Sequence, residues 1–342
     1  MTQPSFTSSV RAPSNIALIK YWGKSDTQSQ WPANDSFSMT LSQAHTVCKA
    51  TLKPGIDPEV TLGGSLITAK DHPKIFAHIA RLMKEFQSPE GYGLSIETNN
   101  SFPMGCGIAS SASGFAALTL ATWEVIRQAT KASPRPLEEL AHWARLGSGS
   151  AGRSLFGGFV GWNRGASADS QVLFQAFPKS HWALGDTIAI FSDRPKHISS
   201  TKAHESAWSS PLFPPRLAGI GDKLNLLKTA ISNRNIDALG RIIEQEALEM
   251  HGVMMSSEPP AFYFDQEVSH FLGWLRRWRQ NNGIPAYFTM DAGPNVHIIS
   301  PLEHQEAVAD AIAKDFDVRI FKDQIGSGPS NLDNDEVQFQ HA

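Results

Sequence analysis

Pro103–Gly114 reads PMGCGIASSASG and runs straight into Phe115–Gln128, FAALTLATWEVIRQ. The first stretch is a glycine–serine turn and the second has the composition and spacing of a helix. Gly105 and Gly107 allow the backbone to turn with its N–H groups inward, and Ser110 and Ser111 suit the start of the helix that follows. Such a turn binds anions through peptide dipoles and needs no net charge, which suits a triphosphate. The Walker pattern G-x-x-x-x-G-K-[ST] is absent, so an ordinary P-loop fold is not indicated. A plain capped turn explains the same residues equally well, and the stretch alone leaves both readings open.

A second glycine-rich stretch, Gly147–Gly152, reads GSGSAG and formally matches the dinucleotide pattern G-x-G-x-x-G. That pattern requires a strand before it, whereas Leu137–Arg145, LEELAHWAR, has helical spacing, so a Rossmann site is rejected. What remains is a hydroxyl-rich turn closed by Arg153, either a cradle for phosphate or carboxylate or a tight helix-to-helix turn with Arg153 in a surface ion pair.

Near the N-terminus, Asn15–Lys24, NIALIKYWGK, is a strand-like run that carries Lys20 among hydrophobic residues. Lys20 there requires a carboxylate or ligand partner, unless the strand is at an edge and the side chain snorkels to solvent. In Pro285–Pro294, PAYFTMDAGP, Asp291 follows an apolar strand and precedes a glycine–proline turn. It suits either a turn former or a general base oriented by a lysine. The zinc-hydrolase, serine-esterase and dithiol patterns are absent, and the twelve histidines are scattered.

The 342 residues exceed the ~250–300 at which one core stops growing, so two domains are expected. Period-two segments at 59–62, 93–98, 171–177, 187–191, 286–290, 296–300 and 318–321 read as strands. Helical faces are carried by Ile75, Phe76, Ile79, Leu82, Met83 and Phe86 and by Val268, Phe271, Leu272 and Leu275. Pro195 and Ser209–Arg216, SSPLFPPR, interrupt the pattern, which puts the domains at 1–184 and 185–329, with 330–342 a loose polar tail.

With 41% hydrophobic and 18% charged residues and a formal net charge of -3, the chain is globular and offers no basis for a nucleic-acid or membrane partner. Two cysteines, Cys48 and Cys106, make no disulfide framework and fit a reducing cytoplasm. The first fifteen residues lack the apolar stretch of a signal peptide, and no run approaches the ~20 apolar residues of a membrane helix.

Six segments occur in one order: NIALIKYWGK, WPANDSFSMTL, PMGCGIASSASGFAAL, RLGSGSAGRSLFGGFVGW, MHGVMMSSEPPAFYF and YFTMDAGPNVHI. Together they resemble the diphosphomevalonate decarboxylases, of the superfamily that includes galactokinase, homoserine kinase, mevalonate kinase and phosphomevalonate kinase. The resemblance implies a two-domain α+β fold with the active site in a cleft between domains, a homodimer, and ATP with Mg2+ as cofactors. It implies decarboxylation of mevalonate 5-diphosphate to isopentenyl diphosphate. Matched residue by residue, Asp291, Lys20 and Arg153 are the catalytic positions. Tyr21, Lys24, Ser148, Gly149, Ser150, Arg153, Ser200 and Thr201 match the substrate side, and Gly105, Gly107, Ser110 and Ser111 the nucleotide loop, with no protein ligand set for a metal. The chain departs from the family at Asp35, where consecutive serines are usual, and at Lys202–Glu205, KAHE. Two neighbouring expectations are a superfamily kinase that stops after phosphoryl transfer and a decarboxylase of 5-phosphomevalonate.

Overall fold

The structure, a computed structural model, describes residues 3–102, 110–192, 200–333 and Val337, with backbone alone at 200–202. In chain order the first half runs β1 (Phe6–Ile19), β2 (Lys24–Asp26), β3 (Trp31–Pro32), β4 (Ser36–Pro54), β5 (Glu59–Leu62), β6 (Ser65–Ile67), α1 (Pro73–Glu85), β7 (Tyr92–Asn100), α2 (Ser110–Thr130), α3 (Leu137–Gly147), β8 (Phe159–Asn163) and β9 (Val172–Phe177). The second runs β10 (Leu184–Ile190), α4 (Ser200–Ser206), α5 (Phe213–Ser232), α6 (Ile236–Met255), α7 (Gln266–Asn282), β11 (Tyr287–Thr289), β12 (Val296–Pro301), α8 (Gln305–Asp315), β13 (Arg319–Gln324) and β14 (Ser330–Leu332).

The first sheet is ordered β14-β1-β4-β7-β5-β6, with β8 beside the start of β4 and β9 beyond it. The far half of β4 alternates buried and half-buried residues, as expected of a strand covered on one face. There Cys48, Ala50 and Leu52 meet Ile79 of α1, Ala116 and Val125 of α2 and Leu140 of α3. The near half, Ser36–Leu41, is buried throughout because it is covered on both faces.

A bulge causes the change. Between the pairs Pro13↔His45 and Asn15↔Thr40, one residue of β1 stands opposite four of β4. An unequal insertion reverses which face each side chain takes. Accordingly Val10 and Ala12 face the helices of the first half, whereas Ile16 and Leu18 enter a different core. The N–H groups of Ser42, Gln43 and Ala44, released from the ladder, donate to the Asp323 carboxylate of β13 at 2.8, 2.8 and 2.7 Å.

The second sheet, β11-β12-β10-β13, is antiparallel throughout. Successive residues point to opposite faces. Ile188, Ile299 and Tyr287 pack with Leu224 and Leu227 of α5 and Ile243 of α6. Ala189, Ile298 and Phe288 pack with Phe271 and Leu275 of α7 and Val308 and Ile312 of α8. The first of these cores also holds Ile16, Leu18, Phe37 and Met39, so the two halves share buried apolar surface. Each such side chain contributes ~1.5–3 kcal/mol when fully buried.

Two sequence expectations change. Ser330–Leu332, assigned to the loose tail, pairs antiparallel with Ser9–Arg11 as β14. Ser209–Arg216, taken as a break, includes the first turn of α5, where Pro214 and Pro215 occupy positions whose N–H groups have no helical partner in any case. Among the described residues no helix is long and apolar enough to cross a membrane.

Candidate active site

β1 ends at Ile19, and Lys20 turns inward to the junction of the halves. Its side chain is 1% exposed, and its Nζ donates to Asp291 Oδ1 at 2.8 Å and to the Ala17 carbonyl at 2.7 Å. The snorkelling alternative is thereby excluded. Asp291 follows β11 in the loop leading to β12; its carbonyl accepts the Gly293 N–H at 2.8 Å, while its carboxylate is committed to Lys20. The turn and the ion pair thus use different atoms of one residue. His251 of α6, stacked on Phe264 at 4.5 Å, lies 3.2 Å from the Asp291 carbonyl through Nε2.

Burial alone would raise the Asp291 carboxyl, but the Lys20 ammonium, with the charges of His297 and Arg153, holds it below the ordinary carboxylate range. Burial pulls the Lys20 ammonium down, against the opposing charges of Asp291 and Glu246. The Asp291 side chain remains 29% exposed, so an ionised carboxylate is presented to an entering group.

Arg153 lies in the 3-10 turn Gly149–Leu155 that follows α3 without an intervening strand, which removes the dinucleotide reading on structural grounds. It is buried, and among the described residues it makes no surface ion pair. Nε donates to Asn15 Oδ1 at 3.2 Å and Nη1 to Ser36 Oγ at 2.7 Å, while Asn15 Nδ2 is itself anchored on Ser154 Oγ at 2.8 Å. Its hydrogen-bond partners Asn15 and Ser36 are neutral, the Asp291 carboxylate opposes the cost of its charge, and burial lowers the guanidinium to about 10. Asn15 was not singled out from the sequence, and Ser36 only beside Asp35 at the departure from the family pattern, although both lie inside the quoted segments. Two polar residues set beside apolar strand-like neighbours were the available signal. At the departure from the family pattern, Asp35 turns away from Arg153 and accepts the Arg164 N–H at 2.7 Å.

Tyr21 packs between Trp162 and His204, at 4.9 and 4.5 Å, and its buried hydroxyl has no hydrogen-bond partner among the described residues. Gly149 makes this possible: a Cβ there would stand 2.5 Å from the Tyr21 ring. Ser150 contributes its carbonyl to Asn15 Nδ2 at 3.4 Å. Ser148 Oγ lies 3.2 Å from Ser111 Oγ, which brings the second glycine-rich turn to the first turn of α2. Lys24 is depressed to about 8 by burial first and then by Lys74, with Glu205 opposing. His204, buried beside Tyr21 and Trp22, is pushed down to about 3 by burial and by the charges of Lys24, Arg216 and Lys74. Lys74, a residue the sequence reading passed over, is exposed and adds its charge to that of Lys24 around His204.

Gly105 and Gly107 lie outside the described residues, and Ser200 and Thr201 open α4 with only their backbone described. Ser110 and Ser111 begin α2, whose first turn holds no acidic residue and therefore suits an anionic phosphate. Among the described residues no cluster of three or more His, Cys, Asp or Glu side chains is disposed to hold a metal ion.

Residues 12–173 match the diphosphomevalonate decarboxylase-like N-terminal domain, and residues 187–340 match the mevalonate 5-diphosphate decarboxylase C-terminal domain. The diphosphomevalonate decarboxylase of Ganoderma lucidum is 32% identical, over 94% of this chain and 85% of its own. That of Candida albicans is 34% identical, over 91% and 89%. Among solved structures, mevalonate diphosphate decarboxylase from Staphylococcus aureus superimposes with a TM-score of 0.88 at 30% identity, covering 96% of this chain and 99% of that one. MDDEF in complex with MVAPP, AMPPCP and magnesium also gives 0.88 at 30% identity, covering 97% and 100%. With both domain models matched in sequence order and relatives aligned along nearly the whole length, the chain belongs to the diphosphomevalonate decarboxylase family.

Proposed function

We propose that this enzyme carries out ATP-dependent decarboxylation of mevalonate 5-diphosphate, giving isopentenyl diphosphate, ADP, phosphate and CO2. The observation that carries the reading is the Lys20–Asp291 ion pair at 2.8 Å with the buried guanidinium of Arg153 in electrostatic reach. A tertiary hydroxide is a poor leaving group; Ser110 and Ser111, with the preceding glycine loop by resemblance, would hold magnesium-ATP, which would supply the phosphoryl group that makes it a good one. Asp291 takes the hydroxyl proton, and Lys20 keeps that carboxylate ionised and aimed. Arg153 uses the part of its fork not committed to Asn15 and Ser36 to hold the substrate carboxylate. When the carbon–oxygen bond breaks, the electrons of the departing CO2 form the new double bond. Tyr21, Lys24, Ser148, Gly149 and Ser150 hold the diphosphate, with Ser200 and Thr201 assigned to the same end by resemblance. The orphaned Tyr21 hydroxyl and the depressed Lys24 support this role, since both gain from an anion. The neighbour holding MVAPP, AMPPCP and magnesium supports the choice of substrate and cofactors. The family resemblance extends the reading to a cytoplasmic homodimer.

The deciding experiment measures CO2, ADP and phosphate released from magnesium-ATP and mevalonate 5-diphosphate, beside Asp291→Ala and an arm with 5-phosphomevalonate. Release from the diphosphate that disappears in Asp291→Ala is expected. ADP without CO2 would make the enzyme a kinase, and CO2 from the monophosphate alone would change the substrate.

A further inference from the structure

Lys20 is the first residue past the last β1–β4 ladder pair, Ile19↔Phe37, so its N–H and C=O have no strand partner. Both are nevertheless satisfied, and by side chains. Its N–H donates to Glu246 Oε1 at 3.1 Å; its carbonyl accepts from Arg216 Nη2 at 3.1 Å and from Asn34 Nδ2 at 2.9 Å. Arg216 also bonds Glu246 directly and reaches Asn34 Oδ1 at 3.3 Å, closing a ring around the Lys20 backbone. Glu246, Arg216 and Asn34 are all buried.

We propose that Glu246 and Arg216 are positioning residues for the reaction: they clamp the two peptide groups of Lys20 and so hold its Nζ on Asp291. The inference rests on the functional reading above. Glu246 comes from α6 and Arg216 from α5, the helix whose opening the sequence pattern registered only as a break. The planar fork of Arg216 is what allows one side chain to serve a carbonyl, an amide oxygen and a carboxylate together. A buried ion pair by itself is weak evidence for any role beyond charge neutralisation. Here, however, the pair ends on the backbone of the residue whose side chain is the partner of Asp291. The other charges at Glu246 are Lys223, 2.9 Å from Oε2, and the Lys20 ammonium. Asp291 is faced by Lys20, Arg153, His297 and His204, with His251 on its carbonyl.

The test compares kcat and KM as functions of pH in the full-length enzyme and in Glu246→Gln and Arg216→Lys, with melting curves to report the folded fraction. In Glu246→Gln, kcat is expected to fall by roughly 100-fold, the cost of a slightly misplaced reacting group, with KM nearly unchanged. Its acid limb moves to higher pH, because an Asp291 that has lost its ammonium partner protonates more easily. Arg216→Lys, which keeps the charge and loses the fork, moves both in the same direction by less. Activity that falls only with the folded fraction, with the acid limb where the wild type has it, overturns the proposal. Should Glu246→Gln not fold, Arg216→Lys decides by the same criteria. An inactive wild type would instead refute the functional reading, which keeps the two failures separate.

Discussion

Two groups of cations meet at the junction of the halves, and they are finished to different degrees. Lys20 is fully buried, yet its charge is answered by Asp291 and its backbone is held on both sides. Lys24, half-buried, and Lys74, exposed at the surface, are both lowered by partial desolvation, and buried His204 beside them is kept neutral. The first group is complete before any ligand arrives. Among the described residues the second has an excess of positive charge and a Tyr21 hydroxyl without a hydrogen-bond partner, which is the state expected of a site whose counter-charge is the substrate itself. Chemistry needs groups fixed in advance, whereas anion capture gains from cations that remain costly until the anion binds.

The largest effect should come from breaking the finished group. Asp291→Asn keeps the shape and removes the base, and CO2 release should fall by roughly 10²–10⁴-fold. A rate close to wild type would show that the ion pair is only structural. Arg153→Lys preserves the charge but not the fork to Asn15 and Ser36. Losing charge-assisted hydrogen bonds of about 1.5–3 kcal/mol should lower kcat/KM by roughly 10- to 100-fold. A smaller loss would mean that the charge alone matters.

At the boundary between the groups, Gly149→Ala drives a methyl group into Tyr21 and should cost ~1–3 kcal/mol in thermal denaturation while raising KM. Gly219→Ala is the control: within α5, nothing stands within 4 Å of the added carbon, and stability should rise by about 0.5–1 kcal/mol. The smallest effect belongs to Lys24. Its value near 8 lies below the ordinary 10.5, so between these the unfolded chain binds a proton that the folded one does not. Its contribution is therefore unfavourable below about 8 and is relieved as pH rises through that window. Inorganic diphosphate should raise the melting temperature more below about pH 8 than above it. Equal stabilisation on both sides would remove Lys24 from the anion site.

The seven expected strand segments all overlap observed strands, and the helices at Pro73–Glu85, Ser110–Thr130, Leu137–Gly147 and Gln266–Asn282 stand where periodicity placed them. The most important strand, β4, was not recognised. Its near half is buried on both faces and carries polar Ser36, Ser38 and Thr40 toward the Arg153 side, which hides the alternation of a half-buried strand. Helices α5 and α6 were missed because proline and serine at the start of α5 looked like a boundary, although proline is well tolerated in a first helical turn.

By itself, the sequence determined what depends on near neighbours: the helix before GSGSAG that rules out a dinucleotide turn, the strand that delivers Asp291 to a tight loop, and the serines that open α2. These follow from side-chain periodicity and turn chemistry over a few residues. Only the tertiary structure decided which charges meet. Lys20 and Asp291 are 271 positions apart, and their contact depends on a bulge that turns β1 over and on helices that grip its end. Nothing local encodes such a pairing, because it is settled by how two separately formed halves bury their shared apolar surface and satisfy the polar groups caught between them.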